Sequence, residues 1–263
     1  MSQLGKRLLS SAVLVSIAVY AMWGPLWFFF LIAEFLIFQA LREYYQLAAK
    51  TGVWIDEKTG LGAGLMVPFA LYFSVDLVFF VLTAMLFFLV YFRPKRREHA
   101  LLGIPFTFFG LIYVSWFFSH VILIRHLEHG SAWIFYVVLL VKGGDAAAYF
   151  SGKKFGRTKL IEHISPNKSV EGALGGFAAT FGLSIVSRAY LPEVGWIHLI
   201  LMGILVGILA PLSDLAESLL KRNAQVKDSG YVPGLGGILD VLDSLLLTIP
   251  VVYFYLVHVI GLQ

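Results

Sequence analysis

Cysteine is absent from the 263 residues. That excludes a disulfide framework, a thiolate-held metal and a thiol nucleophile. Charge is scarce as well: Asp, Glu, Lys and Arg make up 14% of the chain, against about 25% in a soluble domain. With 59% hydrophobic residues, the composition does not describe a soluble globule. No internal repeat, low-complexity segment or linker to a soluble domain stands out. What is abundant is apolar sequence in runs of spanning length, so the expected fold is an all-α polytopic membrane protein.

A spanning helix needs about 20 mostly apolar residues. Nine runs qualify as candidates: 8–23, 25–47, 61–75, 77–92, 101–123, 132–150, 174–190, 197–220 and 238–260. The third and fourth are short and poorly separated around Asp76, which leaves eight as the alternative count. Lys6 and Arg7 before Leu8–Met22, with Val19-Tyr20-Ala21 behind, have the outline of a signal peptide. A second long apolar run follows at once, and the run is read as the first span. Trp23, Trp27, Trp54, Trp133 and Trp196 fall near predicted span ends, where interfacial aromatics belong.

The net charge is +4, but the cations sit in short clusters between apolar runs, a pattern that fits headgroups rather than nucleic acid. On a nine-span topology sixteen of the 20 Lys and Arg residues fall in loops on one side, Arg42 and Lys142 sit close to span ends on that side, and only Arg125 and Arg188 lie on the other. The positive-inside rule then places the N-terminus in the cytoplasm. The polar loops at 151–172 and 221–237 share that side, so a polar site would face the cytoplasm. The short segment before the first run favours a bacterial plasma membrane. The expected organisation is one integral membrane unit, with N-terminal transmembrane helices at 1–130 and a catalytic region at 131–263.

Three stretches carry ionisable groups beyond what topology requires. Lys142 and Asp145, three apart in the sixth run, can pair on one helical face, and Gly143-Gly144 beside them would let helices approach closely. The loop Gly152–Arg157 holds Lys153, Lys154 and Arg157, with Lys159 following; it reads equally as a topogenic cluster or a phosphate-binding one. Ser165-Pro166-Asn167-Lys168 predicts a turn, Ser169 is placed to cap the next helix, and Glu171 lies three residues beyond Lys168. Glu34, inside the second run, reads as an interhelical contact. Gly172–Gly176 reads as a packing surface, because no Lys-Ser/Thr completes a phosphate loop.

The densest stretch is Ser213–Asp243. If the eighth run stays helical through Arg222, Asp214, Glu217, Ser218 and Lys221 share one face. Asp240 and Asp243 share another at the start of the ninth. Two acidic faces of this kind suit hard divalent cations. The competing reading is acid–base pairing with Lys221, Arg222 and Lys227 and no metal.

The residues Ser213-Asp214-Leu215-x-Glu217-Ser218-x-x-Lys221-Arg222, Lys227-Asp228-Ser229 and Pro233-Gly234-x-Gly236-Gly237-x-Leu239-Asp240-x-x-Asp243-Ser244 together resemble the signature of the phosphatidate cytidylyltransferases (CDP-diacylglycerol synthases). Asp145-x-x-Ala148-Tyr149-Phe150-x-Gly152 and Ile164-Ser165-Pro166-x-Lys168-x-x-Glu171-Gly172 are similar to a second region of that family. The resemblance runs over about 142–250. Leu235 stands where the family usually has His, Val241 where it has Arg, and Ser213 where Gly is common.

The resemblance implies a multi-helical membrane enzyme that joins CTP and phosphatidic acid into CDP-diacylglycerol, releasing pyrophosphate. It implies catalytic roles for Asp214, Asp240, Asp243, Lys221 and Asp228. Magnesium would sit on Asp214 and Asp240, with a second cation such as K+ as a further expectation. Ser165, Lys168, Glu171, Arg222, Lys227 and Asp145 would bind substrate or phosphate. The implied partners are CTP, phosphatidic acid, the bilayer and a second copy in a homodimer, with no nucleic acid. The alternatives are a CTP-dependent lipid kinase, a nucleotidyltransferase with another lipid acceptor, and an ion-coupled transporter. The last would carry its acids at the membrane midplane rather than near one face.

Overall fold

The computed structural model describes residues 16–92, 97–231 and 236–263. Lys6, Arg7, the start of the first run, Arg93, Lys95, Arg96 and the Pro233-Gly234-Leu235 turn lie outside the described residues.

Each described apolar run is helical, as a chain that must satisfy its backbone without water requires. A helical run at 16–23 is followed by α1 (Leu26–Lys50), α2 (Glu57–Tyr72) and α3 (Asp76–Tyr91). Next come α4 (Ala100–Gly110) and α5 (Phe117–His126), joined by a widened π turn at Leu111–Trp116. Then follow α6 (Gly130–Phe155), the strands β1 (Lys159–Ile161) and β2 (Ser165–Ser169), α7 (Val170–Val186) and α8 (Trp196–Asn223). The chain ends with α9 (Ile238–Leu246), α10 (Thr248–Tyr255) and a π turn at Leu256–Ile260. Among the described residues, five helical stretches are long and apolar enough to cross a membrane: Ala100–His126, Gly130–Phe155, Val170–Ala189, Trp196–Asn223 and Ile238–Ile260. Asp76–Tyr91 is a shorter apolar helix.

The chain divides into two compact units. The first holds Met1–Leu123 with Leu220–Leu242, the second Ile124–Leu219 with Asp243–Gln263.

In the first unit, α1 buries Ala33, Ile37, Ala40, Leu41, Tyr44 and Leu47, a stripe at helical spacing. Its neighbour α2 comes close because Gly60 and Gly64 lie one turn apart. A Cβ on Gly60 would stand 2.6 Å from the Tyr45 hydroxyl, and one on Gly64 would meet Leu41. Tyr44 and Tyr45 donate to the carbonyls of Phe106 and Thr107 at 3.1 and 3.0 Å, tying α1 to α4. Glu34 also lies on α1, and its carboxylate oxygens are buried with no hydrogen-bond partner among the described residues.

In the second unit, α6 and α7 pack through small residues, as the Gly143-Gly144 and Gly172–Gly176 runs predict. A Cβ on Gly176 would lie 2.9 Å from that of Ala148 and 3.0 Å from the Gly144 carbonyl. Thr180 spans the seam, donating to the Leu140 carbonyl at 3.2 Å. The hairpin between the two helices departs from expectation. Ser165–Ser169 is an extended strand paired antiparallel with Lys159–Ile161, and the turn falls earlier, at 162–164. Pro166 accounts for this, because a proline drives the residue before it into extended backbone. Ser169 does cap α7, accepting from the Gly172 amide at 3.1 Å.

Candidate active site

The C-terminal signature is held in two networks, one in each unit.

The first centres on Asp240. It occupies the third position of α9, and its Oδ2 accepts from the Gly237 amide at 2.6 Å. This is the acidic half of a capping box, in which a third-position carboxylate reaches back to the cap residue's N–H. The same oxygen accepts from the amide and the hydroxyl of Ser229, both at 2.9 Å. The other, Oδ1, pairs with Lys221 Nζ at 2.5 Å, and the two side chains are each only 12% exposed. Gly236, at φ +87, takes the left-handed backbone of this turn, and a Cβ there would sit 2.7 Å from Asp240 Oδ2. Glycine answers both constraints.

Sequence reasoning did not single out Glu43, which completes this network. It lies on α1, buried, and accepts from Ser229 Oγ at 2.8 Å. It also takes the amides of Ile238 and Leu239, at 2.9 and 2.8 Å. The one advance signal was an acid inside an apolar run, and that reasoning fastened on Glu34.

The second network holds Asp214 and Asp243. Lys168 Nζ stands 2.6 Å from Asp214 Oδ2, with both side chains about three-quarters buried. Ser218, one turn along α8, donates to Asp214 Oδ1 at 3.3 Å, as the shared-face spacing predicts. Ser213 donates to the Asp243 carbonyl and accepts from the Leu247 amide at 3.1 Å, which satisfies the break between α9 and α10. The Asp243 carboxylate takes the Ser244 amide at 2.5 Å and feels the charges of Asp214, Lys142 and Asp145. Lys142 and Asp145 pair at 3.5 Å, as their spacing predicts. Ser244 bridges them, accepting from Lys142 at 2.9 Å and donating to Asp145 at 3.0 Å. A small, partly open cleft lies beside Asp145, lined by Gly144, Ala148, Gly176, Phe177 and Pro211.

The remaining candidates are placed differently. Glu171 clasps the hairpin, accepting from the amides of Arg157 at 3.0 Å and Thr158 at 3.2 Å. Arg222 donates to the Val226 carbonyl at 3.3 Å. Lys227 and Asp228 are exposed, and Ser165 is a half-buried strand residue.

The donor chemistry fits a hard divalent ion, since it consists of carboxylate and hydroxyl oxygens. Among the described residues no three acidic or imidazole groups already surround one point. Asp214 and Asp240 each meet a lysine instead. Paired in this way, the charges escape the penalty of an isolated buried ion. Each pair thereby sets a lysine ammonium directly beside a carboxylate.

Fold and site together define an all-α integral membrane protein whose polar chemistry is built from aspartate–lysine pairs. A family model described as the cytidylyltransferase family matches residues 5–259, and the chain belongs to that family. It is 33% identical to a phosphatidate cytidylyltransferase of Synechocystis sp. over 96% of both chains. It is 39% identical to one from Bacillus subtilis over 66% of each. The match to one from Chlamydia muridarum, at 40% identity, covers 47% of this chain and 43% of the relative.

Proposed function

We propose that the chain is a CTP:phosphatidate cytidylyltransferase. An oxygen of the phosphatidate headgroup attacks the α-phosphorus of CTP, the bond to the β-phosphate breaks, and CDP-diacylglycerol and pyrophosphate form. The observation that carries this reading is the pairing of the signature aspartates with lysines, Asp214 with Lys168 and Asp240 with Lys221. Bringing two phosphorylated substrates together concentrates negative charge, and such transfers proceed by positioning and charge neutralisation more than by covalent catalysis. Lys168, Lys221, Arg222 and Lys227 meet the phosphates. No protein nucleophile is needed, and the ionised headgroup needs no dedicated base.

Asp214 and Asp240 would hold magnesium, with Asp243 and Asp228 adding negative charge. The ion, when bound, supplies neutralisation of the charge developing on pyrophosphate. A second cation such as K+ and a homodimer rest on the family resemblance alone. In the membrane, the chain crosses nine times, with its N-terminus and polar site on the cytoplasmic side of a bacterial plasma membrane. The concentration of cations in alternate loops supports this orientation.

The test is purified protein with CTP labelled on its α-phosphate, phosphatidic acid and magnesium. The expected product is labelled CDP-lipid with pyrophosphate release. CDP release with a newly phosphorylated lipid would replace the reading with a lipid kinase. No turnover of CTP by folded protein would sink it.

A further inference from the structure

Gly237 is the cap residue of α9, and it has no side chain with which to receive the free amides of the helix's first turn. A helix begins with four N–H groups that have no partner inside it, and a Ser, Thr, Asp or Asn at the cap ordinarily meets one of them. Here the acceptor comes from another helix. Glu43 Oε1 takes the Ile238 amide at 2.9 Å, and Oε2 takes the Leu239 amide at 2.8 Å. The carboxylate fills the space a cap side chain would need: a Cβ on Gly237 would collide with Glu43 Oε2 and with Ser229 Oγ. A Cβ on Gly230 would lie 2.5 Å from Glu43 Oε1. Both glycines are therefore fitted to this carboxylate.

The same clasp reaches Asp240. The Ser229 hydroxyl lies 2.8 Å from Glu43 Oε2 and 2.9 Å from Asp240 Oδ2. Its single proton serves one of the two at a time, so the carboxylates are linked through one oxygen. Asp240 sits on the turn whose amides Glu43 holds, and the Gly237 amide it accepts belongs to the residue beside them.

We infer that Glu43 is a positioning residue for the cytidylyl transfer. It caps α9 from α1 and thereby fixes the direction of the Asp240 carboxylate. The inference rests on the reading of function above. Glu43 touches neither substrate in this scheme and acts through Asp240, so its loss should slow turnover without weakening substrate binding.

The test compares wild type, Glu43→Ala and Glu43→Gln as purified full-length protein in the CDP-lipid assay. Amide hydrogen exchange is followed over 236–246 in the same samples. Glu43→Ala is expected to lower kcat by about 100-fold, the scale set by a misplacement of about 1 Å at a reacting group, with KM for CTP unchanged. Exchange at Ile238 and Leu239 should quicken. Glu43→Gln retains one carbonyl acceptor and should fall between, and it decides the matter should the alanine variant fail to fold. An unchanged kcat overturns the inference. So does a loss carried wholly in KM, or a loss of kcat with exchange at 236–246 unaltered. Wild-type protein that forms no CDP-lipid overturns the functional reading instead, and the exchange arm then decides alone whether Glu43 caps the helix.

Discussion

Asp214 and Asp240 belong to the same signature, yet their surroundings divide their roles. Asp240 gives one oxygen to a turn and the other to Lys221, so it shapes the backbone as well as carrying charge. Asp214 meets the Lys168 ammonium and the Ser218 hydroxyl and lies close enough to Asp243 for their charges to interact. Replacing Asp240 by Asn keeps the size but removes the charge, and turnover should be lost while membrane insertion is retained. CDP-lipid formation and membrane fractionation read the two outcomes separately; retained activity would remove Asp240 from the proposed magnesium site. Lys221→Met leaves the Asp240 charge largely buried and uncompensated. Removing one partner of a buried pair destabilises by about 3–5 kcal/mol, and with the pair still 12% exposed the expected loss is near the lower end. Thermal unfolding in detergent should show it as a clear drop in Tm.

These residues were legible because charged groups at helical spacing are conspicuous in an apolar chain. Lys142 with Asp145 and Asp214 with Ser218 sit one turn apart and are found in contact. Long-range partners were not legible. Lys168 lies near Glu171 in sequence but pairs with Asp214, and Glu43 reaches a helix nearly two hundred residues away. Nothing in local periodicity distinguishes Glu43 from Glu34, since both are single acids in one apolar helix. Tertiary approach separates them.

At the scale of elements, small residues set how closely helices meet. The α6–α7 seam tolerates little: a Cβ on Gly144 would collide with Thr180 Oγ1, and one on Gly176 would press on the backbone of α6. Gly176→Val should therefore destabilise the protein by about 1–3 kcal/mol, the usual effect of overpacking. Gly182, on the same helix, has nothing within 4 Å of its would-be Cβ. Gly182→Ala should leave stability unchanged or raise it by up to about 1 kcal/mol through helix propensity. Detergent melts of the two variants check the contrast, and equal losses would show that the seam is not what the glycines serve. The helices themselves were readable from apolar length, as were the glycine seam and the Ser169 cap. The hairpin was not, because Ser165-Pro166-Asn167-Lys168 has the composition of a turn while its pairing depends on Lys159–Ile161 opposite.

For the whole molecule, composition identifies a membrane protein and the basic clusters propose its orientation. The lack of native cysteine makes that orientation directly measurable, because a single introduced thiol is the only one present. On the nine-span arrangement the last turn of α6, which carries Lys153, faces the cytoplasm and the segment around Glu128 faces outward. Both side chains are exposed, so substitution should leave the fold intact. In sealed right-side-out vesicles, Glu128→Cys should react with a membrane-impermeant maleimide and Lys153→Cys should not. Inverted vesicles should reverse the pattern. The site follows the same logic: CTP and phosphatidate can meet only where an aqueous compartment borders lipid, and the aspartate–lysine pairs lie next to loops rather than at span centres. Labelling of both positions from one side would show that α6 does not cross and would break the nine-span arrangement there. The assignment of the reaction itself would stand, since it rests on the paired charges and the family match rather than on the number of crossings.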